Sequence, residues 1–410
     1  MPRVGLKHHG AFTVFTALVY YFSNPKPGDH YDYTFRVAEQ FLRGSTGFAE
    51  KPPYWLNEFV LCDGIWYSVF PFGSVVSMVP FAFLKVAGAI QRMPSALLCT
   101  LLAAAICLFL LKIGSKYELP KARIVLTTAG VLFGTFMWAN LTMGGAWQLA
   151  LGFAMVGQLG AIYFTVYDRR PLVAGAFFAL AFGNRTEIIL TAPIFLFLLS
   201  RNDTRTNEIN KEKRSRSSFL ERIDAKRVAS FCGIPLVLGV STLIYNYIRF
   251  HSISDFGYAR IPGVLDEPWY DHGIFSFRYI PRQAWEMLFK PWEFQEAIPY
   301  LVPDGFSSSI LLSSPFILFS TRLGARDRVP KYSAWAAIVV MTLLLWMHGN
   351  SGGWQFGYRY WMVCLPWLFV ILLESSPTKI SRLEWAAYIF SFLANLYATW
   401  LFHWTSYLKP

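Results

Sequence analysis

Long apolar runs separated by short polar loops recur along almost the whole chain. The first, Gly10–Phe22, ends at Ser23-Asn24-Pro25. Further runs at about 94–111, 124–140, 147–167, 171–183, 188–200, 228–248, 306–320, 332–348, 361–374 and 384–403 bring the expected total to about 11 transmembrane helices. The pair 171–183 and 188–200 is short for a bilayer and is interrupted by Gly183-Asn184-Arg185-Thr186-Glu187. That break fits one kinked span or two half-helices meeting at a polar turn, and loop charge favours the second. Two stretches carry helical period with one polar face. In the first, Tyr33, Val37, Ala38, Phe41 and Leu42 oppose Arg36, Glu39 and Gln40. In the second, Phe277, Ile280, Ala284, Trp285, Leu288 and Phe289 oppose Arg278, Arg282, Gln283 and Glu286. Both suit helices lying on a membrane surface.

Composition agrees. Of 410 residues, 54% are hydrophobic, 18% aromatic and only 15% charged, against about 25% charged in a soluble domain. The chain reads as a single all-α polytopic membrane domain, residues 1–410. The formal charge of +12 does not indicate nucleic acid, because the basic residues sit in short loops as the positive-inside bias requires. Residues 74–90 are arbitrated by the same bias. As a span they would place Lys112, Lys116, Lys121 and Arg123 outside; as a juxtamembrane or re-entrant helix they leave every later basic loop inside. Those loops are Asp168-Arg169-Arg170, the charged linker 201–227, Arg322 to Lys331 and Lys379 to Arg382. The N-terminus, with Arg3 and Lys7, is then cytoplasmic, and 24–93 and 249–305 form two long outer loops carrying the surface helices. Gly10–Phe22 lacks a cleavage site, so it reads as a retained span. Cys62, Cys99, Cys107, Cys232 and Cys364 form no CxxC pair, and four of them lie in apolar runs, so they support neither a disulfide frame nor a zinc cage. Sequons at Asn140, Asn184 and Asn202 fall at membrane depth or on the cytoplasmic side and read as chance.

This topology collects one set of groups at the outer face or its edge: Asp29, Asp32, Glu50, Lys51, Asp63, Arg185, Glu187, Asp255, Arg278, Arg282, His348 and Arg359. Carboxylates and arginines lining one cavity there suit an anionic, lipid-linked donor. The arginines would hold phosphate through forked hydrogen bonds while a carboxylate accepts a proton from a hydroxyl. The alternative for any one of these groups is a structural ion pair between surface helices.

Five short motifs resemble those of the integral-membrane GT-C glycosyltransferases, the class of protein O-mannosyltransferases and the lipid A aminoarabinose transferase. They are Gly28-Asp29-His30 through Tyr33; Asp63-Gly64-Ile65-Trp66-Tyr67-Ser68 into Pro71-Phe72-Gly73; Gly183-Asn184-Arg185-Thr186-Glu187 with Pro193; Tyr245-Asn246-Tyr247 with Arg249-Phe250 and Gly257-Tyr258; and Gly352-Gly353-Trp354-Gln355-Phe356-Gly357-Tyr358-Arg359-Tyr360 with Pro366. Phe72, Asn184 and Thr186 depart from the family's pattern. The resemblance implies a polyprenyl-phosphate sugar donor, a glycan, lipid or protein acceptor, and inverting transfer outside the cytoplasm; a bacterial inner membrane is the expected location, with the endoplasmic reticulum the alternative. By position it makes Asp29 the general base, with Asp32 in reserve. Arg359 and Arg185 would hold the departing phosphate, with Glu187, Tyr258, His348 and Tyr360 around the substrate and Trp66, Trp354 and Tyr358 as apolar walls. Glu50-Lys51-Pro52-Pro53 is similar to the aminoarabinose transferases' E-K-P-P. Lys51 would then contact donor phosphate, and Glu50 is a candidate ligand for a divalent metal ion. Two rivals stay open: a transporter or flippase of lipid-linked sugars, and a polymerase or ligase using a lipid-diphosphate donor.

Overall fold

The computed structural model describes residues 6–201 and 224–408. Arg3, the side chain of Lys7, Asn202 and most of the expected linker lie outside the described residues. The chain is mostly helical. Five described helices are long and apolar enough to cross a membrane: Ser95–Gly114, Ala146–Tyr167, Ala225–Phe250, Arg328–Met347 and Arg382–Trp404.

The first helix, α1 (Leu6–Phe22), packs along α4 (Ser95–Gly114). Between them come α2 (Tyr33–Leu42), the hairpin β1 (Phe59–Cys62) and β2 (Ile65–Ser68), and α3 (Phe72–Val86). The hairpin turns through Asp63 and Gly64, both at positive φ (51° and 79°), the pairing that a two-residue turn of the right twist favours. α2 is amphipathic as expected. It buries Tyr33, Phe35, Val37 and Ala38, and Glu39 on its polar side pairs with Arg43 at 2.8 Å and with Lys85 of α3 at 2.7 Å. α3 occupies the segment 74–90 and, at 15 residues, runs only about 22 Å.

The expected span 124–140 is broken. α5 (Lys121–Phe133) stops at Gly134, and a separate turn, α6 (Met137–Thr142), follows. α7 (Ala146–Ile162) ends in a wider turn, Tyr163–Tyr167. α8 (Pro171–Asn184) meets a 3₁₀ turn, Thr186–Thr191, before α9 (Ala192–Ser200), so the interruption at 183–187 is present. Here α3 and α8 touch backbone to backbone. A Cβ on Gly73 would lie 2.4 Å from Gly183 Cα, so only glycine permits the approach.

α10 (Ala225–Phe250) leaves Leu236, Val237 and Val240 exposed. Beyond it, α11 (Ile280–Leu288) packs through Gln283 and Met287 and leaves Phe277, Trp285 and Phe289 exposed. Half of the apolar stripe predicted for this helix is thus free, while Leu288 packs against the core. A two-residue ladder, β3 (Glu293–Phe294) with β4 (Leu301–Val302), follows.

The expected span 306–320 is also absent as a continuous helix. The short α12 (Ile310–Ser313) and a 3₁₀ segment Pro315–Thr321 replace it. Ser309 accepts from Leu312 N at 3.1 Å and Pro315 has no amide hydrogen to donate, so local caps outcompete a long helix. α13 (Arg328–Met347) is continuous. The run 361–374 starts as a 3₁₀ turn, Arg359–Cys364, and only then becomes α14 (Leu365–Ser375). α15 (Arg382–Trp404) closes the chain behind a capping box of Ser381 and Glu384.

The described loops around Arg123, Arg322 and Lys379, assigned by charge to one side, do gather at one end. Arg123 and Arg322 both bond to Glu384, Arg123 Nη2 donates to Lys379 O at 2.6 Å, and Tyr117 donates to Glu374 at 2.8 Å. α15 carries Glu384 in that cluster and Phe402 at the wall of a large cavity. The two are 18 residues apart, about 27 Å along the helix.

Candidate functional site

The cavity, about 1560 Å³, exceeds the roughly 300–1,000 Å³ of a drug-sized site. Its walls come from segments spread over the whole chain: the loop at Gly28–Tyr31, Tyr54 to Glu58, the start of α7, the break at Arg185–Glu187, the outer loop 254–275 and the late segment 348–360. Charged groups share it with apolar side chains such as Ile189, Leu190, Leu344 and Phe275.

The first loop is docked on the α6–α7 turn. Gly28 N donates to Met143 O at 2.6 Å, and Ala146 N to Tyr31 O at 3.0 Å. A Cβ at Gly28 would lie 2.9 Å from that same carbonyl, so glycine is required for the contact. Trp147, at the head of α7, sits against Tyr31, Tyr33 and Phe70 with ring centroids 5.3, 5.1 and 6.1 Å away. Its indole Nε1 donates to both carboxylate oxygens of Glu58, at 2.9 and 3.0 Å. Burial pushes the Glu58 carboxyl up to about 7, against the lowering effects of the Trp147 bond and the Arg359 charge. Glu58 and Trp147 are absent from the residues nominated by sequence. Glu58 stands alone in the aromatic and apolar stretch Tyr54–Leu61, and a solitary acid there was the available signal.

The late segment is clamped at the broken α5–α6 junction. Asn140 Nδ2 donates to Phe356 O at 2.7 Å, and Asn140 Oδ1 accepts from Phe356 N at 3.1 Å. Gln355 accepts from Arg359 N at 2.7 Å, fixing the turn that aims Arg359. The side chain of Arg359 is nearly buried, at 6% exposure. It donates from Nη1 to Trp354 O at 3.2 Å, while its Nε has no hydrogen-bond partner. Among the described residues no carboxylate forms an ion pair with it. The Tyr360 ring carries two guanidinium groups, Arg359 at 5.3 Å and Arg185 at 4.8 Å from its centroid. Arg185 in turn bonds to Glu187 at 2.8 Å.

His348 lies among Tyr258, Tyr270, Phe275 and Tyr360, with ring centroids 5.2 to 6.4 Å away. Its Nδ1 is 2.7 Å from Asn350 O. A carbonyl only accepts, so Nδ1 carries the proton and, in the neutral ring, Nε2 is left as an acceptor. Tyr258 and Tyr270 share a 2.9 Å hydroxyl contact.

The structure therefore brings together Arg185, Glu187, Tyr258, His348, Arg359 and Tyr360 at one cavity. It places the two nominated aspartates differently. Gly28 and His30 line the cavity, but the Asp29 carboxylate pairs with Arg92 at 3.1 Å and is not part of the wall. Asp32 is buried against Arg36 at 2.6 Å, one helical turn on. Burial raises its carboxyl while Arg36 opposes that. Glu50 and Lys51 are exposed and outside the wall, with the Lys51 ammonium 5.8 Å from the Trp66 ring. Cys62, Asp63 and His251 bring donor atoms within 4.8 Å of one another at the hairpin turn, also outside the cavity wall. There His251 and Asp63 satisfy each other at 2.6 Å. No protein-family model, no curated protein and no solved structure matches this chain.

Proposed function

We propose that this chain is a membrane glycosyltransferase of the GT-C class. It takes a sugar from a polyprenyl-phosphate donor at the extracytoplasmic face and passes it, with inversion, to the hydroxyl of a glycan, lipid or protein. The observation that carries this reading is Arg359, a nearly buried guanidinium beside a second one on the same ring, with an unpartnered Nε and, among the described residues, no carboxylate in an ion pair with it. An uncompensated buried charge costs several kcal/mol. A cation–π contact of about 0.5–2 kcal/mol and one carbonyl offset only part of that. An anion entering the cavity supplies the rest, and a phosphate matches the forked donors of both arginines. The apolar wall at Ile189, Leu190 and Leu344 suits the first isoprene units of the carrier, and the cavity's size leaves room for an acceptor.

In the membrane, the end holding Arg123, Arg322 and Glu384 faces the cytoplasm by the positive-inside bias, as does the N-terminus, and the cavity faces outward. The five long helices cross outright. With α1 and with 171–200 counted as two passes, the broken segments at 121–142, 171–200, 310–321 and 359–375 complete an approximately eleven-pass bundle, their irregular backbone sheltered inside protein. Arg359 supplies the positive charge that neutralises the leaving phosphate, and Arg185, paired with Glu187 through Nε, adds hydrogen-bond donors from its remaining N–H groups; a divalent ion, if used, would need ligands other than Glu50.

The test is a transfer assay on the purified full chain in liposomes, with labelled undecaprenyl-phosphate hexoses and pentoses as donors and envelope glycans and lipids as acceptors. The expected result is a covalent product of inverted anomeric configuration from a monophosphate donor. Label moving into the vesicle lumen without a product would establish the transporter instead, and product formed only from a lipid diphosphate would establish the polymerase or ligase.

A further inference from the structure

Resting on the transferase reading above, we infer that Glu58 is the general base that takes the proton from the acceptor hydroxyl. Four acids contribute side chains to the cavity wall: Glu58, Glu187, Asp255 and Glu267. Glu187 is neutralised by Arg185 at 2.8 Å, and Asp255 by Arg260 at 2.7 Å. Beyond the wall, Asp29 and Asp32 are likewise held by Arg92 and Arg36. A carboxylate oxygen that already accepts from a guanidinium is less available to take a proton from a hydroxyl. Glu58 bonds to the neutral indole of Trp147 through both oxygens, which fixes its plane and leaves a lone pair on each oxygen free. Glu267 accepts only from Trp269, at 2.6 Å, and is the rival. Glu58 differs from it in feeling the Arg359 charge across the cavity, so base and phosphate clamp face one space.

The step balances with groups already named. The acceptor O–H proton passes to a Glu58 oxygen as the hydroxyl oxygen attacks the anomeric carbon. The bond from that carbon to the phosphate oxygen breaks, and its electron pair leaves on the phosphate held by Arg185 and Arg359. The products are an inverted glycoside, the free lipid phosphate and a protonated Glu58, which then loses its proton to water.

The groups facing Glu58 set its pH response. They are Trp147 from α7, Tyr33 from α2, Tyr258 and Tyr270 from the outer loop, and Arg359 from the late segment. The three phenols are neutral throughout the working range, burial holding each above the usual tyrosine value. Burial lowers the His348 imidazole on the same cavity, whereas it pushes Glu58 up to about 7, with the Arg359 charge opposing that rise; loss of the limb in Glu58→Gln tells the two apart. Transfer needs the ionised form, so kcat/KM should rise with pH through about 7. Donor phosphate on Arg359 cancels a charge that lowers the Glu58 value, so the limb in kcat should lie higher than that in kcat/KM.

The experiment compares Glu58→Gln, Asp29→Asn and Glu267→Gln in the full chain, measuring undecaprenyl phosphate binding, transfer against pH and thermal stability. Glu58→Gln is expected to bind undecaprenyl phosphate within about twofold of wild type, to lose transfer by about 10³-fold and to lose the limb near 7. Asp29→Asn and Glu267→Gln should each lose less than about tenfold, far below what removal of a general base costs. The amide is isosteric and removes a charge that burial opposes, so the Glu58→Gln protein should be at least as stable as wild type at pH 8. Wild-type rates with the limb intact in Glu58→Gln, or the large loss appearing instead in Asp29→Asn or Glu267→Gln, would overturn the assignment and leave the transferase reading standing. A folded wild type inactive with every donor would instead remove that reading, and the base with it.

Discussion

Arg359→Ala should abolish sugar transfer, by about 10³-fold in kcat/KM, without unfolding the protein. Removing one preorganised donor from a site that stabilises a developing anion costs about 10²–10³. Arg359 would act on both the bound and the departing phosphate, so the larger figure applies. The variant should also bind undecaprenyl phosphate at least tenfold more weakly. Arg359→Lys keeps the charge but loses the planar fork and should recover only part of the activity. Stability separates this role from a structural one. The guanidinium is 6% exposed, with an unpartnered Nε and no ion-paired carboxylate among the described residues, so its removal relieves a buried charge that no direct ion pair compensates. A thermal midpoint equal to or above that of wild type marks a residue retained for its ligand. A midpoint lowered by many degrees with transfer intact would show that Arg359 is a structural residue.

The second large effect belongs to the opposite end of the molecule. Glu384 is 1% exposed and accepts from Arg123, which is fully buried, from Arg322 at 2.8 Å and from Ser381 N at 2.9 Å. Glu384→Ala leaves Arg123 buried without its counter-charge and removes the capping box of α15, at a cost of about 3–5 kcal/mol. Arg322→Ala should cost much less, because that side chain is 29% exposed and Arg123 still neutralises the carboxylate. Thermal or denaturant unfolding in detergent measures both. Any Glu384→Ala protein that remains folded should keep its donor affinity, since the cavity wall at Phe402 lies about 27 Å along the helix. Equal losses from the two variants would mean that the ion cluster is too wet to matter.

The parts of this arrangement that could be read from the chain were those with local causes. Period alone located α2 and α11, and loop charge alone grouped Arg123, Arg322 and Lys379 at one end. The polar interruption Gly183–Glu187 stood out from its apolar flanks and is a real break. Three expected spans failed because their interruptions are small and chemically quiet. At Gly134 one glycine sufficed, and behind it Asn140 serves the late loop by binding Phe356 on both edges. Serines and Pro315 divide 306–320, and a 3₁₀ turn replaces the start of 361–374.

The site was legible in its late half and less so in its early half. Arg359, Tyr360, Arg185 and His348 converge as their positions suggested. The aspartates drew attention as the first acids after an apolar run, yet their partners are near at hand. Arg36 lies one turn beyond Asp32, a pairing visible in the sequence. Arg92, the partner of Asp29, lies across a fold that no local pattern reveals. Glu58 was missed because it sits in an aperiodic loop, where neither helical nor strand spacing points inward. Its place at the cavity wall is fixed by Trp147, which lies far off in the sequence.

The most direct measurement is an electron cryomicroscopy structure of the full chain in a nanodisc with undecaprenyl phosphate bound. The phosphate should lie between the guanidinium groups of Arg185 and Arg359 beside Tyr360, with Glu58 open to the space next to it and the isoprene chain along Ile189 and Leu190. Phosphate density outside this cavity, or a bound lipid whose head group touches neither arginine, would contradict the account.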